Sequence, residues 1–108
     1  MKHGYVRAAA LTPVIRVADC EYNTQQVLEG MKEAFAKKAA VFPEMCLTGY
    51  TCNDLFLQEV LINGALEGLE KLVASSKEMP GMVNVVGLPF TYAGKLYNVA
   101  AVFCGGKL

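Results

Sequence analysis

Glu44 is the residue of this sequence best placed to do chemistry. It follows the apolar run Val41-Phe42 and Pro43, where a buried strand should give way to its connecting loop. Ligands in open α/β sheets collect at such carboxyl ends. A carboxylate fixed beside an apolar strand end is expected to be partly desolvated, which raises its pKa toward general-base use. The competing reading from position alone is a solvated loop carboxylate, or a cap for the next backbone turn. Cys46, two residues on, invites a thiol–carboxylate pairing, yet cysteines inside apolar runs usually behave as small buried hydrophobes. Cys20, Cys46, Cys52 and Cys104 are scattered without paired CxxC spacing, and His3 is the sole histidine, which argues against a zinc site. An even number of cysteines alone makes no disulfide framework, so a reducing cytoplasm is expected.

The elements that must position Glu44 can be read from hydropathy. Tyr5 to Ile15 is Val- and Ala-rich and reads as a first strand. Asn23-Thr24-Gln25-Gln26 has the outline of a capping box. Leu28, Met31 and Phe35, joined by Val27 and Ala34, then form one apolar face, so a helix is predicted over Asn23 to Lys38. Ala39 to Phe42 is a short run suited to a strand covered on both faces. A loop follows through Thr48-Gly49-Tyr50, and Asp54 is expected to cap a second helical segment with Ile62, Leu66, Leu69 and Val73 as its stripe. Asn63-Gly64 could split that segment, because a mid-helix Gly costs about 1 kcal/mol against Ala. Val83 to Leu88 reads as a buried strand ending at Pro89, and Leu96 to Cys104 as a further strand, with a hairpin turn near Gly94. Gly105-Gly106 opens another turn. The order β-α-β-α-β-β implies an α/β fold whose helices cover a sheet.

Composition bounds the rest. The chain has 108 residues, and 54% of them are hydrophobic. With glycine counted in place of tyrosine, the apolar share still exceeds the roughly 45–50% of an ordinary domain. A domain of this size buries only about 65% of its unfolded surface, so the excess points to a piece of a larger core or a subunit with a buried interface. Ten acidic and ten basic residues give zero formal charge, which makes nucleic acid and membrane surfaces poor partners. Lys2, His3 and Arg7 before Ala8 to Leu11 faintly resemble a signal peptide, but Thr12, Pro13 and Arg16 break the run.

The stretch Val41-Phe42-Pro43-Glu44-Met45-Cys46-Leu47-Thr48-Gly49-Tyr50 is similar to the first catalytic motif of the nitrilase superfamily of carbon–nitrogen hydrolases. Val6 to Leu11 and the helix after it resemble the start of that fold. Val86-Gly87-Leu88-Pro89 and Gly94-Lys95-Leu96-Tyr97-Asn98-Val99-Ala100 resemble its next strand end and hairpin, so the likeness covers nearly the whole chain. Thr51-Cys52-Asn53-Asp54-Leu55-Phe56 looks most like glutamine-dependent NAD synthetases, whereas other branches commonly carry a proline just after that tyrosine.

The resemblance implies a four-layer α-β-β-α sandwich, of which residues 1–108 would be the N-terminal half of a glutamine amidotransferase domain. It implies a thiolate that attacks the side-chain amide of glutamine, forming a thioester and releasing ammonia. A carboxylate takes the thiol proton, and a Lys ammonium stabilises the oxyanion. Glu44 matches the base, and Tyr50 matches a tyrosine lining the glutamine pocket. The catalytic Lys and Cys have no matching position and are expected beyond Leu108; Lys95 and Lys107 read as hairpin and turn groups. No cofactor is expected in this segment, because ATP and Mg would serve a separate synthetase domain that amidates deamido-NAD. Another amidase of the superfamily, or a non-catalytic nitrilase-like assembly module, are the alternatives. A half sandwich leaves apolar sheet surface and strand edges, so self-association is expected.

Overall fold

The computed structural model describes residues 7–35, 39–49 and 59–108. Its elements run β1 (Ala8–Ala10), α1 (Cys20–Glu33), β2 (Ala39–Val41), α2 (Glu59–Ser75) with a 3₁₀ turn (Ser76–Glu78), β3 (Val83–Tyr92) and β4 (Lys95–Phe103). The predicted α/β order is borne out. One sheet has the order β1-β2-β3-β4, with β1, β2 and β3 parallel and β4 antiparallel to β3. Strands added in one direction through crossovers of one hand place both connecting helices on the same face. The core lies there: Val27, Leu28 and Met31 of α1 and Ala65, Leu69 and Leu72 of α2 pack with Ala40, Val86, Leu88 and Phe103 of the sheet. No helix among the described residues is long and apolar enough to cross a membrane.

Among the described residues, the opposite face of the sheet is open along Val41, Val83 and Val102. Register sets Val41 beside Val85 and Val102, with Val83 next along β3. Val41, Val83 and Val102 are exposed to 40%, 39% and 53%. Part of the apolar excess seen in the composition lies on this surface, while Val14, Val60 and Leu108 are exposed elsewhere.

Several boundaries differ from the sequence reading, each for a physical reason. Helix α1 begins at Cys20, capped by Asp19, whose side chain accepts from the Tyr22 amide. Asn23 is inside the helix and fully buried, so the capping box at Asn23 is not formed. Phe35 falls beyond Glu33 and is exposed, leaving Ala34 to complete the buried face. Asp54, expected to cap the second helix, lies outside the described residues. Strand β3 runs through Pro89 to Tyr92. Strand β2 pairs only with Val83–Val85, so that side of β3 is an edge by Pro89, where a residue without an N–H is tolerated. The hairpin turn is as expected: Tyr92 pairs with Lys95, and both Ala93 and Gly94 have positive φ, the two-residue turn that matches strand twist. Gly105-Gly106 closes a further turn, with Cys104 and Lys107 exchanging backbone hydrogen bonds of 2.9 and 3.0 Å.

Helix α2 is continuous through Asn63-Gly64 and presents a rotated face. Leu61, Ile62, Ala65, Gly68, Leu69 and Leu72 are buried, whereas Leu66 of the predicted stripe is exposed. The glycines explain the rotation, since they let α1 approach closely. A Cβ at Gly64 would lie 3.3 Å from Cys20 Sγ, and one at Gly68 would collide with Thr24 Oγ1. Gly68→Ala should therefore lower stability by about 1–3 kcal/mol through overpacking, against the gain of about 1 kcal/mol that Ala normally gives a helix. Gly64→Ala should be near neutral. Urea unfolding of the two variants checks this, and a stabilised Gly68→Ala would contradict it.

Candidate active site

The chain leaves β2 at Val41 and keeps following β3. Phe42 is buried in the core, and its amide donates to Val85 O at 2.9 Å. The next contact along β3 is Leu47 N to Gly87 O at 3.4 Å. Residues between them bulge out of the ladder, with Glu44 on the bulge. Position 87 has the parity of Val83 and Val85, so the bulge crosses β3 on the side away from the helices. The approach is backbone on backbone. A Cβ at Gly87 would lie 2.6 Å from Met45 N, 2.7 Å from Glu44 Cα and 2.7 Å from Pro43 O.

The far end of the bulge is tied down from other directions. Met45 takes a left-handed conformation (φ 51°), and Met45 O accepts from the amides of Thr48 and Gly49 at 3.1 and 2.7 Å. Gly49 has φ 91°, which favours glycine. A Cβ there would also sit 3.1 Å from Val17 Cα. Thr48 O accepts from Ala18 N at 2.7 Å. Asn23 joins the same two segments: its Oδ1 accepts from Arg16 N at 2.7 Å, and its Nδ2 donates to Arg16 O at 2.7 Å and Leu47 O at 3.2 Å. An amide side chain can serve one donor and two acceptors at once, which accounts for a buried asparagine at this place.

Glu44 is exposed and borders two concavities. One, of about 370 Å³, is lined by Thr12, Pro13, Ile15, Pro43, Glu44 and Cys46 and is largely apolar. The other, of about 190 Å³, sets Glu44 among Gly87, Asn98 and Ala100. The desolvation expected from the apolar strand end is not supplied by the described residues, because the bulge carries Glu44 out onto the open face of the sheet. Cys46 turns inward instead. It is buried, and its Sγ donates to Gly87 O at 3.6 Å. Burial pushes the Cys46 thiol up to about 11. Lys95 and Lys107 are exposed at the two turns, as expected. Tyr50, the expected glutamine-pocket residue, lies outside the described residues.

Sequence reasoning did not single out Asn23, Asn98 or the close approach at Gly87 as site features. Asn23 resembles a helix cap in composition, and only the fold shows that it clamps two loops. Asn98 reaches the Glu44 concavity through its pairing with Pro89, which a single sequence does not display. Gly87 did leave a signal, since glycine inside an apolar strand marks close backbone approach.

Comparison with known proteins gives this geometry a family. A glutamine-dependent NAD(+) synthetase of Mycobacterium bovis is 35% identical over 109 aligned residues, spanning 99% of this chain and 16% of that protein. The chain thus spans about a sixth of the length of such curated relatives. The crystal structure of a glutamine-dependent NAD(+) synthetase from Cytophaga hutchinsonii superposes with a TM-score of 0.85 at 29% identity, covering 94% of this chain and 17% of that one. An amidase from Nesterenkonia sp. superposes with a TM-score of 0.78 over 99% of this chain and 41% of its own, and at 17% identity it speaks for the fold alone. The family model described as carbon-nitrogen hydrolase matches residues 6–107, so this chain is a member of the carbon–nitrogen hydrolase family.

Proposed function

We propose that these residues are the N-terminal part of the glutaminase domain of a glutamine-dependent NAD synthetase, with Glu44 as general base. The observation that carries this reading is the placement of Glu44. It stands on a bulge seated against Gly87 at the carboxyl end of β2, bordering concavities formed with the β1–α1 loop and with β3–β4. Its carboxylate would take the proton of a cysteine thiol supplied from beyond Leu108. The thiolate attacks the side-chain carbonyl carbon of glutamine, and a lysine from the same outside segment stabilises the oxyanion. Collapse expels ammonia, with the proton returned by Glu44, and water hydrolyses the thioester to glutamate. Tyr50 would line the glutamine pocket. The ammonia would then serve amidation of deamido-NAD in a separate domain that uses ATP and magnesium. Among the described residues no group of three or more His, Cys, Asp or Glu side chains could hold a metal ion. The setting would be the cytoplasm.

Cys46 is a poor nucleophile on this reading. Its thiol is enclosed and stays protonated until about pH 11, whereas a nucleophilic cysteine needs a lowered pKa and access. The open sheet face supports self-association when these residues stand alone, through the apolar strip of Val41, Val83 and Val102 or through the edges of β1 and β4.

In the full-length chain, Glu44→Gln should reduce ammonia release from glutamine by about 10²–10⁴-fold, the usual contribution of a general base, with an unchanged circular dichroism spectrum. Retained activity would remove Glu44 from the mechanism. Sedimentation of residues 1–108 alone should show oligomers that dissociate on dilution; a monomer at high concentration would contradict the assignment of the open face. Cys46 gives a pH prediction. Its folded pKa is raised from 9.0 to about 11, so the unfolded chain loses the proton first as pH rises. Its contribution is complete below about pH 9 and declines toward pH 11, by about 2–3 kcal/mol in all. Urea unfolding across that window should show a loss that Cys46→Ala lacks, and identical slopes would refute it.

A further inference from the structure

We propose that Gly87 is a positioning residue for Glu44, an inference that rests on the reading of Glu44 as general base. Three backbone atoms of the bulge lie where a side chain at position 87 would begin: Met45 N at 2.6 Å, Glu44 Cα at 2.7 Å and Pro43 O at 2.7 Å from the ideal Cβ. Carbon atoms at optimal contact stand about 3.5–4.0 Å apart, so even one methyl group demands a displacement of roughly 1 Å. None of the obstructing atoms is the end of a flexible side chain that could swing aside. The φ of Gly87 lies outside the left-handed region, so the glycine is required here by space and not by backbone conformation. That distinction gives the residue a functional meaning, because a strand could hold alanine at this φ with no penalty of its own.

The same residue also grips the bulge. Gly87 O accepts from Leu47 N and from Cys46 Sγ, just after the point where its missing Cβ admits Glu44. One residue of β3 therefore fixes both the height of the bulge above the sheet and its register along the strand. The remaining ties, through Thr48 and Asn23, hold the distal end of the loop and leave the Glu44 backbone free to be lifted. Alanine at 87 must then move Glu44 itself, while the loop's far anchors stay in place. Misplacement of a catalytic group by about 1 Å is enough to lose on the order of 10²-fold in rate.

The experiment compares Gly87→Ala with Glu44→Gln in the full-length chain, reading kcat and KM for glutamine, the pH profile of kcat/KM, and NAD synthesis from free ammonia. Gly87→Ala should lower kcat about 10–100-fold, with KM for glutamine held within about threefold and ammonia-dependent synthesis unchanged. The acid limb of its pH profile should move, because the proton acceptor has changed surroundings. A merely structural role would depress the ammonia-dependent reaction in parallel and leave the limb in place, which overturns the proposal. Wild-type kcat in Gly87→Ala with inactive Glu44→Gln also overturns it, while the base assignment stands. Full activity in Glu44→Gln instead removes the base assignment and this proposal with it. Should Gly87→Ala not fold, Met45→Val displaces the same backbone from the loop side, since a β-branched residue resists the left-handed conformation of Met45. The same kcat loss with ammonia-dependent synthesis intact supports the proposal, and wild-type kcat overturns it.

Discussion

The backbone of the Glu44 bulge rests directly on the backbone of β3, and a hydrogen atom is all that position 87 can carry beneath it. Much of the surrounding architecture follows from that contact. Strand β2 ends at Val41, yet its hydrogen bonding to β3 resumes at Phe42 and again at Leu47. The residues between can leave the ladder only if they have somewhere to go. The helix side is filled by Phe42, Val86 and Leu88, so the bulge is directed to the open side, over the one strand position with no side chain. Glu44 is thereby displayed on a short stretch of backbone tied to β3 on either side, at Phe42 and at Leu47. Sites carried by rigid elements hold their geometry more tightly than sites on mobile ones.

The anchoring is distributed over elements that are distant in sequence. Asn23 belongs to α1, Ala18 to the segment before it, and Gly87 to β3, yet all three hold residues 44–49. Asn23 is fully buried, and each of its polar atoms has a partner, the condition under which a buried amide stabilises a fold rather than weakening it. Helix α1 therefore does more than cover the sheet, because its first turns also set the wall of the concavity that Glu44 borders. Close packing of α1 on α2 through Gly64 and Gly68 fixes α1 in turn.

Much of this was legible in the sequence, because hydropathy reports burial. The order of strands and helices, the hairpin at Ala93-Gly94 and the inward-facing Val27, Leu28 and Met31 all follow from patterns in which neighbouring residues share one environment. The errors arose where a residue answers to a distant partner. Asn23 has the composition of a cap and serves as a clamp, and the difference lies in Leu47, far away along the chain. Gly64 looks like a break and is a contact, because α1 supplies the surface it needs. Pro89 looks like a strand end, but β2 is too short to require its missing N–H. Glu44 was located correctly at the carboxyl end of β2, whereas its environment was not, since burial there depends on what covers the sheet.

That cover links the fold to the chemistry. Val41, Val83 and Val102 face outward on the same side as the Glu44 bulge. Parallel strands are ordinarily buried on both faces, and the apolar character of this surface fits that rule. On the proposed reading, whatever segment closes over these valines also closes over Glu44. One packing event then removes apolar surface from water and takes the carboxylate out of solvent. The described residues hold the Glu44 bulge against β3 and leave Glu44 exposed. On that reading, positioning comes from within this segment, through Gly87 and its partners, and the cover over the sheet supplies the exclusion of water.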